Sequence, residues 1–347
     1  MAPTKWDAEW IKFAKTISDP PTLPDEETEA KRQIVNTILT ELPRLLPPPP
    51  SNITTSPSFP SHSHLTPADP AVRSTEDLTL PSGPAVRIYT PTHPSSSPTA
   101  ASPLILFAHG GGWFAGNLET EDRSCRILSS RTSSVIVSVD YRCGFGVPLQ
   151  SMVDDLYAAF TWSRSNATTL GADAGKVVFW GGSAGGALIV ALAYRLVQEG
   201  RGAAIKGLLC MNTIVLHPSA TPEAYIHLMR SYEENDGPLP FVAGKDTLKL
   251  YKSRDLEPPN TPIALFPTAY GPGAMKGFPP TWIITSGNDA SRDDGTVLEA
   301  VLRDAGVRVK MENVEGLAHY FWVFDLPKAN ERFWDAMVGG VAWVLGG

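Results

Sequence analysis

The sequence predicts an α/β fold: a mostly parallel central sheet with helices on both faces. Short apolar runs of strand length recur along the chain, at Leu104–Ala108, Val135–Val139, Val177–Trp180, Gly207–Met211, Trp282–Thr285 and Val309–Glu312. Helical patterns at Ala184–Gln198, Thr296–Ala305 and Ala329–Leu345 alternate with them, as in sheets whose strands are joined by crossovers and buried on both sides. Two of the strand-like runs end directly in glycine-rich turns, His109-Gly110-Gly111-Gly112 and Gly181-Gly182-Ser183-Ala184-Gly185.

Before this alternating region, Trp6, Trp10, Phe13 and Ile17 recur at helical spacing, as do Ile34, Ile38 and Leu42. Pro20, Pro21 and Pro24 separate the two patterns, and Asp25-Glu26-Glu27 suits a helix N-terminus. The Trp6/Trp10/Phe13 stripe reads as core packing before it reads as a roof over a substrate. From Pro43 to Pro70 the chain is rich in Pro and Ser, a semi-extended connecting segment. His62 and His64 lie inside it and read as a solvated loop. Ala85–Tyr89 is the first expected strand. His217 to Pro262 breaks the rhythm with helical patches at Glu223–Tyr232 and Thr247–Ser253 and turn signals at Asn235-Asp236-Gly237-Pro238. It reads as an insertion over the carboxyl edge of the sheet, where open α/β folds bind ligands. The expected organisation is 1–72 for N-terminal helices and the Pro/Ser segment, 73–216 and 263–347 for the two parts of the core, and 217–262 for the insertion.

The 347 residues, 42% hydrophobic and 19% charged, read as a globular chain with room for one large core. A net charge of −7 offers no basic footprint for nucleic acid or anionic membrane. The longest apolar helical stretch, Ala184 to Leu196, is short and interrupted by Arg195, so no integral membrane segment is expected. Cys125, Cys143 and Cys210 form an odd, scattered set, which favours a reducing compartment. The start lacks a secretory apolar core. A cytoplasmic location is the expectation. No cofactor or metal is called for, and the oligomeric state is open, a homodimer included.

The chemistry is carried by the two turns. A serine in Gly-x-Ser-x-Gly, between a strand and a helix, sits on a strained turn with its hydroxyl exposed above the sheet. Ser183 is therefore the candidate nucleophile. The backbone N–H groups of Gly111 and Gly112, with that of Ala184, are candidates for an oxyanion hole. The triple glycine lacks the Gly-Lys-Ser/Thr ending of a phosphate loop and the spacing of a dinucleotide turn. His109, at the strand end, is expected to orient the loop rather than act as a base. His319 follows the last expected strand and completes a chain order Ser…Asp…His. His217 and His227 fall in the insertion and His93 in a turn.

His109-Gly-Gly-Gly-Trp113, Val139-Asp140-Tyr141-Arg142 and Gly-x-Ser183-Ala-Gly-Gly resemble the hormone-sensitive-lipase group of α/β-hydrolases, over roughly Leu78 to the C-terminus. The resemblance implies an α/β-hydrolase fold whose N-terminal helices and insertion form a helical cap. It also places the catalytic acid in the stretch Asp289-Ala-Ser-Arg292-Asp293-Asp294-Gly295. Asp289, nearest the strand end, is the candidate, with Asp293 the alternative; Asp293 and Asp294 are otherwise expected to cap the next helix. Trp113 and Phe114, beside the oxyanion loop, are candidates for lining an acyl pocket.

The chain departs from the family at Gly182, where an acidic residue is usual, at Cys143-Gly144-Phe145-Gly146, and in the acid motif, which lacks Pro-Leu. These departures and the Pro/Ser segment resemble fungal members, including hemiacetal-acetate esterases of secondary metabolism. The resemblance thus implies a serine carboxylic-ester hydrolase acting on small to medium apolar esters. The alternative is a dedicated secondary-metabolism enzyme that uses the same triad for hydrolysis, acyl transfer or cyclisation. A non-catalytic small-molecule receptor, like the plant gibberellin receptors that resemble this family, would lack the histidine that stands here as His319.

Overall fold

The computed structural model describes residues 6–14, 72–81, 83–92, 101–144, 146–235 and 244–346. The pattern Ile34/Ile38/Leu42, Ile17, the Pro/Ser segment with His62 and His64, His93 and the turn at 236–238 lie outside the described residues.

Eight strands form one sheet: β1 (Val72–Thr79), β2 (Ala85–Pro91), β3 (Ser102–Ala108), β4 (Val135–Asp140), β5 (Ala172–Gly182), β6 (Gly207–Met211), β7 (Thr281–Ser286) and β8 (Val309–Val314). Their order is β1-β2-β4-β3-β5-β6-β7-β8. The pairs β1/β2 and β2/β4 are antiparallel, and every pair from β4 to β8 is parallel. The helices are α1 (Ala8–Ala14), α2 (Asp122–Thr132), α3 (Leu149–Ser165), α4 (Ser183–Gln198), the single turn α5 (Ser231–Glu234), α6 (Gly244–Ser253), α7 (Arg292–Asp304) and α8 (Pro327–Val344).

Alternation along the strands divides the core into two layers. Leu104, Leu106, Val137, Val177 and Phe179 face α3, α4 and α7. Ile105, Phe107, Ile136, Val178 and Trp180 face α2, α8 and Trp10 of α1. Both layers are fully buried, which is why these strands read as continuous apolar runs.

Three elements go beyond those read from the sequence. β1 exposes most of its side chains and is held by its ladder to β2, so it carries little hydrophobic signal. In α2, Cys125 and Leu128 are the buried apolar positions among Arg and Ser. α3 buries Met152, Val153, Leu156 and Phe160 along one face.

The described part of α1 docks beside the loop that follows β8. Trp10 is buried edge-on against Phe324, and Asp7 N donates to Gly316 O at 2.9 Å. The Glu9 carboxylate accepts from Lys328 N at 3.1 Å and Ala329 N at 3.0 Å, capping the first turn of α8. Trp10 therefore packs as core, as the helical stripe suggested. Among the described residues, no helix is long and apolar enough to cross a membrane.

Trp10→Ala should destabilise the fold by about 3–5 kcal/mol, as expected for emptying a buried Trp site. Denaturant unfolding measures this, and a loss under about 1 kcal/mol would contradict the packing described.

Candidate active site

The sheet topology creates the site. From β3 the chain leaves to α2 on one face, and from β5 to α4 on the other. The turns after these two neighbouring strands therefore diverge, opening a crevice at their carboxyl ends. The register pairs Ala108 with Gly181, which brings the His109–Gly112 loop beside the serine turn.

Ser183 has φ +52°, a left-handed value uncommon for a residue with a side chain. The turn tolerates this because its neighbours give way. A Cβ on Gly185 would lie 2.2 Å from Ala108 O and 2.4 Å from His109 O, contacts with backbone that cannot move aside. Gly111 has φ +123°, and a Cβ there would fall 2.0 Å from Ala115 O. The Gly111 carbonyl accepts from Phe114 N and Ala115 N, so the loop curls into a tight turn. Ala184 is the second residue of α4, where N–H groups have no intrahelical acceptor.

His319 lies between serine and aspartate. Its Nε2 is 2.9 Å from Ser183 Oγ, and its Nδ1 is 2.8 Å from Asp289 Oδ2. All three residues are buried. Asp289 also accepts from Asn212 Nδ2 at 2.7 Å, Ser291 Oγ at 3.0 Å and Ser291 N at 2.9 Å. These donors fix the orientation of the carboxylate. The carrying loops are tied by Asn288 N donating to Leu317 O and Gly287 N to Val314 O. Asn212 and Ser291 were not singled out from the sequence. Their only linear signal is polarity at or just beyond the carboxyl end of a strand.

Asp293 and Asp294 point elsewhere. Asp293 accepts from Arg230 N and Ser231 N and pairs with Arg292. Asp294 accepts from Val215 N, and burial pushes its carboxyl well above the usual range. Helix α7 begins at Arg292, earlier than Thr296, and its N-cap residue, Ser291, makes no side-chain cap. Both carboxylates therefore fasten the insertion and the segment after β6 to α7, instead of capping that helix.

The insertion contacts the loops above the sheet. Tyr251 donates to Leu216 O and packs edge-on against Trp113, and Asn235 donates to Asp289 O. Arg254 donates to Val147 O and to Trp113 O, with its guanidinium 4.0 Å from the Phe114 ring centroid. Trp113 is enclosed, and its indole N–H donates to Ala184 O at 3.2 Å. Trp113 thus braces the His109–Gly112 loop against the start of α4, and Phe114 lies beneath Arg254.

His109 is buried, its Nδ1–H donating to Gly110 O at 2.7 Å and its ring stacked on Tyr141. The Tyr141 hydroxyl donates to His109 O. Burial lowers the His109 pKa to about 4. No cluster of His, Cys, Asp or Glu among the described residues has the makings of a metal site.

A family profile described as alpha/beta hydrolase fold matches residues 105–323. The versiconal hemiacetal acetate esterase of Dothistroma septosporum is 31% identical over 244 residues, covering 70% of this chain and 74% of that protein. The esterase LipI of Mycobacterium tuberculosis is 30% identical over 265 residues, 76% of this chain and 77% of its own. Among solved structures, vibralactone cyclase superposes with a TM-score of 0.79 at 23% identity, over 99% of this chain and 96% of that one, a likeness of fold.

The His109 environment yields a pH prediction. Its folded pKa lies below the ordinary value of 6.5, so the unfolded chain takes up this proton first. Its contribution to stability is complete above pH 6.5 and is lost as pH falls toward 4. In an NMR titration the His109 ring should stay neutral from about pH 8 to 5. A midpoint near 6.5 would contradict the buried, stacked geometry.

Proposed function

The chain belongs to the α/β-hydrolase family, as its motifs suggested, and is an enzyme of the esterase type; from that premise we propose that Ser183, His319 and Asp289 form the triad of a serine carboxylic-ester hydrolase. The observation that carries this reading is the unbroken line of hydrogen bonds from Ser183 Oγ through both His319 nitrogens to Asp289.

The chemistry follows from that line. His319 Nε2 takes the Ser183 proton as Oγ attacks the ester carbonyl, and Asp289 stabilises the imidazolium that forms. The N–H groups of Gly111, Gly112 and Ala184 receive the charge that develops on the carbonyl oxygen, each contributing about 3–4 kcal/mol in such sites. His319 then returns the proton to the leaving alcohol, and water releases the acid by the same route in reverse. The insertion, 217–262, serves as the cap, its Tyr251 and Arg254 packed on Trp113 and Phe114, and the substrates are small or medium apolar esters.

A second reading keeps this triad but gives it one dedicated substrate, the ester of a secondary metabolite. The name of the Dothistroma septosporum relative, a hemiacetal acetate esterase, favours it.

Fluorophosphonate treatment followed by peptide mass spectrometry should find the adduct on Ser183. p-Nitrophenyl esters of increasing acyl length should then show turnover that falls with chain length. No adduct and no turnover would overturn the hydrolase reading, whereas an adduct with negligible turnover would favour the dedicated substrate. Asp289→Asn should lower kcat by about 10,000-fold without unfolding the protein. If Asp293→Asn is instead the crippling change, Asp289 is not the acid.

A further inference from the structure

Glu121, the residue before α2, is 1% exposed and lies outside the triad. Its carboxyl group gathers donors from two loops. Oε1 accepts from the Tyr320 hydroxyl and, at 3.4 Å, from Gly110 N; Oε2 accepts from Trp322 Nε1 at 3.2 Å. The Tyr320 hydroxyl itself accepts from Gly110 N at 2.8 Å. Gly110 immediately precedes the oxyanion glycines, and Tyr320 immediately follows His319.

The same two rings reach the nucleophile turn. A Cβ on Gly182 would lie 3.3 Å from both Tyr320 Cε2 and Trp322 Cζ2. The rings whose polar atoms point at Glu121 therefore rest against the residue before Ser183. Tyr320 has φ +61°, a strained conformation that persists only where the surroundings hold it.

We propose that Glu121 is a positioning residue of this site, its buried carboxylate locking the oxyanion loop, the histidine loop and the serine turn into one geometry. The proposal rests on the hydrolase reading above. All three partners of Glu121 are neutral donors, so the ionised carboxylate can accept from every one. A proton on it displaces a donor or reverses the Tyr320 hydroxyl, which weakens the lock. Burial pushes the Glu121 pKa up to about 7, so the lock tightens as pH rises through neutrality. The other titratable groups around it are Tyr141 from the end of β4, Cys125 one turn along α2, and Asp122. Asp122 turns away to Arg87, Arg126 and Tyr89.

The test is steady-state kinetics of Glu121→Gln against the native protein between about pH 5 and 9, with the rate of fluorophosphonate labelling at Ser183 and the Tm measured beside it. Expected are a kcat lower by about 10- to 100-fold, a KM within about twofold, and slower labelling. The acid limb of the native profile should need two deprotonations, and that of Glu121→Gln only one. Tyr320→Phe, which removes the hydroxyl between Glu121 and Gly110, should lower kcat in the same way. Native kcat in either variant overturns the proposal, as does a kcat loss matched by a lower Tm with an acid limb of unchanged steepness. A native protein that neither labels nor turns over would overturn the hydrolase reading and this proposal with it.

Discussion

Close approach of backbone to backbone where β5 turns into α4 is the constraint on which the rest of this molecule depends. The start of α4 runs so near the end of β3 that Gly185 has no room for a Cβ against Ala108 O and His109 O. That closeness forces Ser183 into its positive φ, lifts its hydroxyl above the sheet and puts Ala184 beside the Gly111–Gly112 loop. Any widening of the turn would move Ser183 and Ala184 away from the Gly111–Gly112 loop together. Trp113, bonded through its indole to Ala184 O, ties the loop to the start of α4.

Around the turn, buried polar groups are arranged so that their partners decide their charge. Asp289 has three donors besides His319, which fix its orientation. Asp294 has backbone donors but a deeper setting, and burial holds it toward the neutral form. His109 is kept neutral by burial, its ring stacked on Tyr141.

What could be read from the sequence was what is local. The glycine turns announce themselves because each requirement falls within five residues and directly follows an apolar strand. The alternation of strands and helices was legible for the same reason, and the sheet is mostly parallel, as expected. Asp289 could be ranked above Asp293 by its nearness to the strand end, and the structure puts Asp289 alone against His319. The edge strand β1 was silent because its side chains face water, and α2 because few of its positions are apolar. Asn212, Ser291, Glu121 and Tyr320 were invisible for a different reason. Their partners lie up to 210 residues away along the chain, and no pattern within their own segments reports them. The expectation that Asp293 and Asp294 cap their own helix failed because the chain uses Asp293 to anchor the insertion and Asp294 to anchor the segment after β6.

The proposed triad requires that Ser183 and His319 act as one unit. A double-mutant cycle tests it most directly: kcat is measured on one ester for the native protein, Ser183→Ala, His319→Ala and the double variant. If the two share one proton transfer, each single change removes nearly all of the chemistry, and the double variant is no slower than either. Losses that multiply, with the double variant slower than the singles by the product of their effects, would mean that serine and histidine act independently and would contradict the account.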